Sequence, residues 1–174
     1  NPDNALLWRM RGSLYEAMMP FIGGSEMLTF QNYQKAMELD PLNPAPAIDL
    51  GRSKLTFSDS QFLLLSQPGI PAEDREQVKR SRANVLEEAQ RALAKAADLK
   101  GDLAAAHFLQ TQTALRIGNL SLAIESAKKA KMIESIEPKK LVLIDAHAIL
   151  HRAYHALPQF SNSRGEPTGG LYGL

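Results

Sequence analysis

Chain breakers recur through the first 137 residues: "PFIGGS" at 20–25, "LDPLNP" at 39–44, "SQPGIPAED" at 66–74, "KGD" at 100–102 and "GNL" at 118–120. Each interrupts a run whose apolar residues repeat at helical spacing. The chain is thereby constrained to helices of moderate length joined by short turns. The first run, "NALLWRMRGSLYEA" at 4–17, sets Leu7, Trp8, Gly12, Tyr15 and Ala17 as a helical stripe, with the glycine where another helix approaches closely. A second stripe, Phe30, Tyr33, Ala36 and Met37, stops at Pro41 and Pro44. A new helix opens in "NPAPAIDLGRSKL", and after the Pro-Gly turn "REQVKRSRANVLEEAQRALAKAADL" forms a long helix of good helix formers. A third pair runs from Ala104 to Glu137 around Gly118. The helical pairs fall at about 4–41, 44–101 and 104–137.

A two-helix unit recurring near ~34 residues has the period of repeat arrays in which each hairpin buries its apolar face only against its neighbours. The residues resemble the tetratricopeptide family: Trp8, Gly12, Tyr15, Tyr33, Ala36 and Pro41 in the first unit; Leu50, Gly51, Ala89, Leu93 and Ala96 in the second; Gly118, Asn119, Ala123 and Ala130 in the third. Insertions in the first two units and a missing proline after the third depart from the family's regularity. A generic Ala-rich helical bundle is the alternative. The resemblance implies a concave groove, lined by the first helices, that binds a protein or peptide. Its candidate residues are Arg9, Ser13, Glu16, Ile48, Arg52, Phe108, Gln112 and Arg116. They do not form the Lys and Asn set with which some members clamp a peptide's terminal carboxylate.

After Pro138 the character changes. "KKLVLID" at 139–145 reads as a strand buried on both faces, ending in an aspartate where parallel sheets gather their ligands. "AHAILHRAYHAL" at 146–157 has helical spacing, "PQFSNSRGEPTGG" is loop, and "EPTGGLYGL" has the look of a helix start. The expected fold is therefore mainly α, an α-solenoid of tandem helix-turn-helix repeats over 1–137, followed by a short β-strand plus helix of an α/β nuclease domain over 138–174. His147, His151 and His155 invite a zinc reading. Two of them four apart can share an ion, but all three span roughly 12 Å of helix and cannot converge. No nearby pair of carboxylates completes a two-histidine site, so surface or core histidines are expected.

Residues 139–174 resemble the first segment of the 5'-3' exonuclease domain that opens bacterial DNA polymerase I, within the flap endonuclease family. The apolar strand ending in Asp145, the Arg152-Ala153-Tyr154 run, "HALP" and "GEPTGxxYG" at 165–173 carry the likeness, with Ala146 where the family has glycine. The resemblance implies that Asp145 is the first of several carboxylates holding paired magnesium ions. It also places Arg152 at a DNA phosphate, and Thr168 and Gly169 near the substrate backbone. Two-ion hydrolysis needs carboxylates from several strand ends, and among these residues only Glu166 follows Asp145. Magnesium is accordingly expected only for a complete nuclease domain, and this chain is not expected to cleave DNA. The alternative readings are a truncated piece of an active magnesium-dependent nuclease of replication and repair, or two reading frames joined artificially near Met132.

Composition narrows the classes further. Lys+Arg 20 against Asp+Glu 19 names no polyanionic partner for the whole chain, so DNA affinity would be local to the nuclease segment. The cluster Lys128, Lys129, Lys131, Lys139 and Lys140 is interleaved with Glu125, Glu134 and Glu137, as at a solvated helix end. The absence of cysteine excludes disulfides and thiolate metal sites and fits a reducing compartment. Apolar runs of a few residues are far too short to span a membrane. A soluble, cytoplasmic protein without a membrane partner is expected.

Overall fold

The computed structural model describes residues 3–136, and every regular element among them is helical. Six helices follow in order: α1 Ala5–Met18, α2 Ser25–Leu39, α3 Ala45–Leu65, α4 Ala72–Leu99, α5 Ala104–Ile117 and α6 Leu120–Ile136. Each packs on its neighbours in sequence, and α3 also meets α5. Short connections make consecutive helices antiparallel partners, so the chain runs as three hairpins, α1–α2, α3–α4 and α5–α6. The strand expected at 139–145 lies outside the described residues.

The punctuation acts as local chemistry requires. Asn4 caps α1 by accepting from the backbone N–H groups of Leu6 and Leu7 at 2.9 and 3.3 Å. Gly118 takes φ 87° and closes α5, a conformation that glycine adopts without a Cβ penalty. The side chain of Asn119 then accepts from Leu122 N at 3.1 Å and starts α6. Asn43 does the same for Ala45 N at 3.0 Å ahead of α3. α4 begins at Ala72, three residues ahead of the Arg75 start read from the pattern. "PAED" is a helix opening rather than part of the turn, since a proline before a first turn rich in Glu73 and Asp74 suits a helix N-terminus.

Within each of the first two hairpins a glycine lets the helices close. A Cβ added at Gly12 would lie 2.6 Å from Tyr33 Cε1, and one at Gly51 would lie 2.5 Å from Leu93 Cγ. Tyr33 and Leu93 are both fully buried. Trp8 and Tyr15 turn partly inward with Gly12, but Leu7 and Ala17 are exposed, which corrects the stripe read for α1. At 100° per residue Leu7 lies about a quarter-turn or more from the Trp8–Gly12–Tyr15 centre and Ala17 nearly opposite it.

Two apolar clusters join the hairpins. Phe30, Tyr33, Leu50 and Ala92 meet between the first and second, with Met37 and Phe57 against them. The Phe30 and Phe57 rings stand edge to face, centroids 5.9 Å apart. Ala47, Ala96 and Ala106 meet between the second and third, with Ile48, Ala97 and Leu103 alongside. The middle hairpin is the long one: α3 has 21 residues against 14 in α1 and α5, about two turns more. Its extension is held mainly by polar contacts, with Gln61 Nε2 donating to Ser81 Oγ at 2.8 Å, Arg75 to the Leu65 carbonyl at 2.9 Å and Arg82 to the Ser58 carbonyl at 3.1 Å.

Gly51→Ala is expected to lower stability. Helix propensity favours alanine by ~1 kcal/mol, but forcing Leu93 Cγ aside costs ~1–3 kcal/mol, and the clash wins. Denaturant unfolding checks this; an equal or higher midpoint for the variant contradicts the close approach.

Candidate ligand-binding face on the first helices

The first helix of each hairpin lies beside the first helix of the next, and side chains bridge them. Arg9 of α1 donates through Nε to Asp49 Oδ2 of α3 at 2.6 Å. In return Arg52 of α3 donates through Nη2 to Glu16 Oε2 of α1 at 3.0 Å and reaches Asp49 Oδ1 at 3.5 Å. Further along, Arg116 of α5 holds Asp59 of α3 by a two-pronged contact, 2.7 and 2.8 Å, while its Nη1 donates to the Gln112 carbonyl at 3.1 Å. The fork geometry suits guanidinium and carboxylate, and the Asp59 contact raises the Arg116 pKa above its ordinary value.

Behind this row stands Tyr33. Its hydroxyl donates to Glu16 Oε2 at 2.7 Å, so one carboxylate oxygen joins α1, α2 and α3. Burial, followed by the hydrogen bond and negative charge of Glu16, pushes the phenol pKa well above its usual range. In front, Leu6, Met10, Ser13, Arg9, Asp49 and Arg52 line a cleft of about 340 Å³. It is lipped by apolar side chains and floored by paired charges. Such a surface supplies van der Waals contact and guanidinium donors, and it has no nucleophile–base pair with which to do covalent chemistry.

Of the eight residues read from the sequence as groove-facing, Arg9, Ser13, Glu16 and Arg52 come together around this cleft. Arg116 stands apart with Asp59. Phe108 is exposed on α5, Gln112 is half-buried, and Ile48 packs against the apolar cluster between the second and third hairpins. Sequence reasoning missed Leu6, Met10, Asp49 and Asp59. Asp49 and Asp59 become visible only through partners 40 and 57 residues away, a separation that leaves no local pattern. Asp145, Arg152, Thr168 and Gly169, with His147, His151 and His155, lie outside the described residues. Among the described residues no group of three or more His, Asp or Glu side chains could hold a metal ion. No helix among them is long and apolar enough to cross a membrane.

No family model matches the chain. DNA polymerase I of Deinococcus radiodurans is 51% identical over 38 residues, which is 22% of this chain. The matched stretch spans only 4% of that polymerase. One short segment of this chain is thus similar to part of a DNA polymerase I.

The Tyr33 environment predicts a pH response. With the phenol pKa raised in the folded state, the native protein keeps a proton that the unfolded chain releases above a pH of about 10. The stabilising contribution is complete below that pH and declines as pH rises further. Unfolding midpoints of wild type and Tyr33→Phe measured from pH 8 upward check this. The wild type should lose stability more steeply above a pH of about 10; parallel curves contradict it.

Proposed function

We propose that residues 1–137 are a tetratricopeptide-like protein-interaction module and that 138–174 are the opening segment of a 5'-3' exonuclease domain of the DNA polymerase I type. The observation that carries the first part is the edge-to-edge row of first helices, tied by Arg9–Asp49, Arg52–Glu16 and Arg116–Asp59, with a cleft beside α1. A stacked-hairpin array presents such a row as an extended surface, and protein or peptide binding is what a surface of apolar lips and fixed charges performs.

Peptides selected from a random displayed library against the purified chain are expected to bind at this cleft. Met10→Glu should weaken them about tenfold or more, whereas Gln31→Glu on the exposed side of α2 should leave them unchanged. Selection that yields no peptide sensitive to Met10→Glu would remove the reading.

The second part rests on the 51% identity over 38 residues to DNA polymerase I, which we assign to the C-terminal part of the chain that carries the resemblance. Asp145 would then be a metal-ligating carboxylate, with Arg152, Thr168 and Gly169 toward DNA. The donors within these residues do not complete a two-ion site, since Asp145 is joined later only by Glu166 of the loop motif. No catalytic step is therefore derived through magnesium. A second reading, favoured by the same identity, is that the chain is a piece of a longer magnesium-dependent nuclease. The purified chain is expected to leave flapped and nicked DNA uncut in magnesium. Cleavage that Asp145→Ala abolishes would overturn the first reading in favour of the second.

A further inference from the structure

α1 carries more exposed apolar side chain than its hairpin requires. Leu6, Met10 and Leu14 follow at four-residue intervals and are 59%, 59% and 62% exposed, with Leu7 beside them. Residues four apart on a helix stand one above another, so these form a single apolar ridge. Arg9 and Arg11 each lie one residue, about 100°, to either side of Met10 and so border the ridge on both flanks.

Both guanidinium groups retain donors. Arg9 engages Asp49 through Nε alone, and Arg11 lies over the Trp8 ring at 4.9 Å. Neither makes any other hydrogen bond among the described residues. On the Arg9 side the ridge falls into the cleft of about 340 Å³, whose far wall includes Asp49 and Arg52. The ridge is therefore convex, bordered by a concavity, and flanked by cations.

We propose that this ridge seats an amphipathic α-helix from a protein partner, with an apolar row at three- and four-residue spacing and acidic residues beside that row. The proposal rests on reading the first-helix face as a binding surface. Ridges of one helix fill the grooves of another, so a helical row matches Leu6, Met10 and Leu14 along its length. Carboxylates beside that row meet the open forks of Arg9 and Arg11. Two other occupants fit less well. A second copy, placed by a two-fold axis, would set arginine flanks against arginine flanks. A lipid surface is flat and would bring anionic headgroups against Asp49 in the adjoining cleft.

The test uses the whole chain and two labelled synthetic helical peptides of equal length with leucine at four-residue spacing, one flanked by Glu and one by Lys. By fluorescence anisotropy the Glu-flanked peptide should bind about tenfold tighter. Met10→Glu and Leu14→Glu should each weaken it about tenfold or more with an unchanged helical spectrum. Arg11→Glu should narrow or reverse the preference between the two peptides. Equal affinities, or binding indifferent to Met10→Glu, overturn the inference. So do sedimentation with phosphatidylserine vesicles that Met10→Glu abolishes, and a dimer that the same substitution dissolves. Should the designed helices fail while library peptides remain sensitive to Met10→Glu, the acidic-helix partner falls and the binding module stands; should both fail, both fall.

Discussion

The distance between the two helices of a hairpin is set where a side chain has been removed. Tyr33 and Leu93 occupy the space that a Cβ on Gly12 or Gly51 would need. The ring of Tyr33 packs against α1 at Gly12, and its hydroxyl meets Glu16 of the same helix. Glu16 is then held where Arg52 of the next hairpin reaches it. The polar order of the first-helix face thus descends from an apolar contact beneath it. The third hairpin reaches close packing differently, through buried Ala114, Ala123, Ser126 and Ala130. Small residues on both helices permit an approach that a single glycine permits in the other two.

Stacking of the hairpins divides into energy and register. Apolar burial of Phe30, Leu50, Ala92 and their neighbours supplies the energy, at roughly 25 cal/mol per Å² removed from water. Partly exposed ion pairs contribute on the order of 0–1 kcal/mol each, too little to hold hairpins together. Their geometry serves alignment instead, since a carboxylate gripped from two sides penalises a slide along the helix axis. Lys54 is the exception on energetic grounds. It is 3% exposed, its ammonium lies 3.9 Å from the Phe30 ring centroid, and it meets Glu88 Oε2 at 2.6 Å. A lysine so enclosed carries a desolvation penalty that the ring face and the carboxylate together offset. It locks α2, α3 and α4 to one arrangement, because any other leaves a buried charge without its partners.

What could be read from the sequence follows the range over which each interaction acts. Asn4, Asn43, Gly118 and Asn119 act within a few residues of themselves, and the helix boundaries they set were legible. Gly12 was legible as a glycine inside a helix, a costly placement that implies a close neighbour, whereas Gly51 was legible only as a match to the repeat pattern. The cleft was only half legible. Arg9, Ser13, Glu16 and Arg52 followed from a resemblance that orients the first helices, but Asp49 pairs across 40 residues and looks like any exposed acid until the hairpins stack. Leu7 misled for the opposite reason: its apolar character placed it in the stripe, while its angle around α1 leaves it in solvent. The strand and carboxylate read at 139–145 belong to a part of the chain outside the described residues.

Charge placement along the first helices also bears on what the proposed binding face would select. Asp49 and Glu16 are consumed by Arg9, Arg52 and Tyr33, and Asp59 by Arg116. Carboxylates gripped in this way have few lone pairs left for a ligand, whereas a guanidinium bound through one nitrogen retains donors directed outward. A row of balanced ion pairs therefore presents an unbalanced hydrogen-bonding surface, rich in donors despite its near-neutral charge. A ligand on the proposed binding face would gain by bringing acceptors, whereas one bringing only donors would meet fewer vacant acceptors. Discrimination of this kind arises from polar groups left unpaired in the wrong complex more than from attraction in the right one.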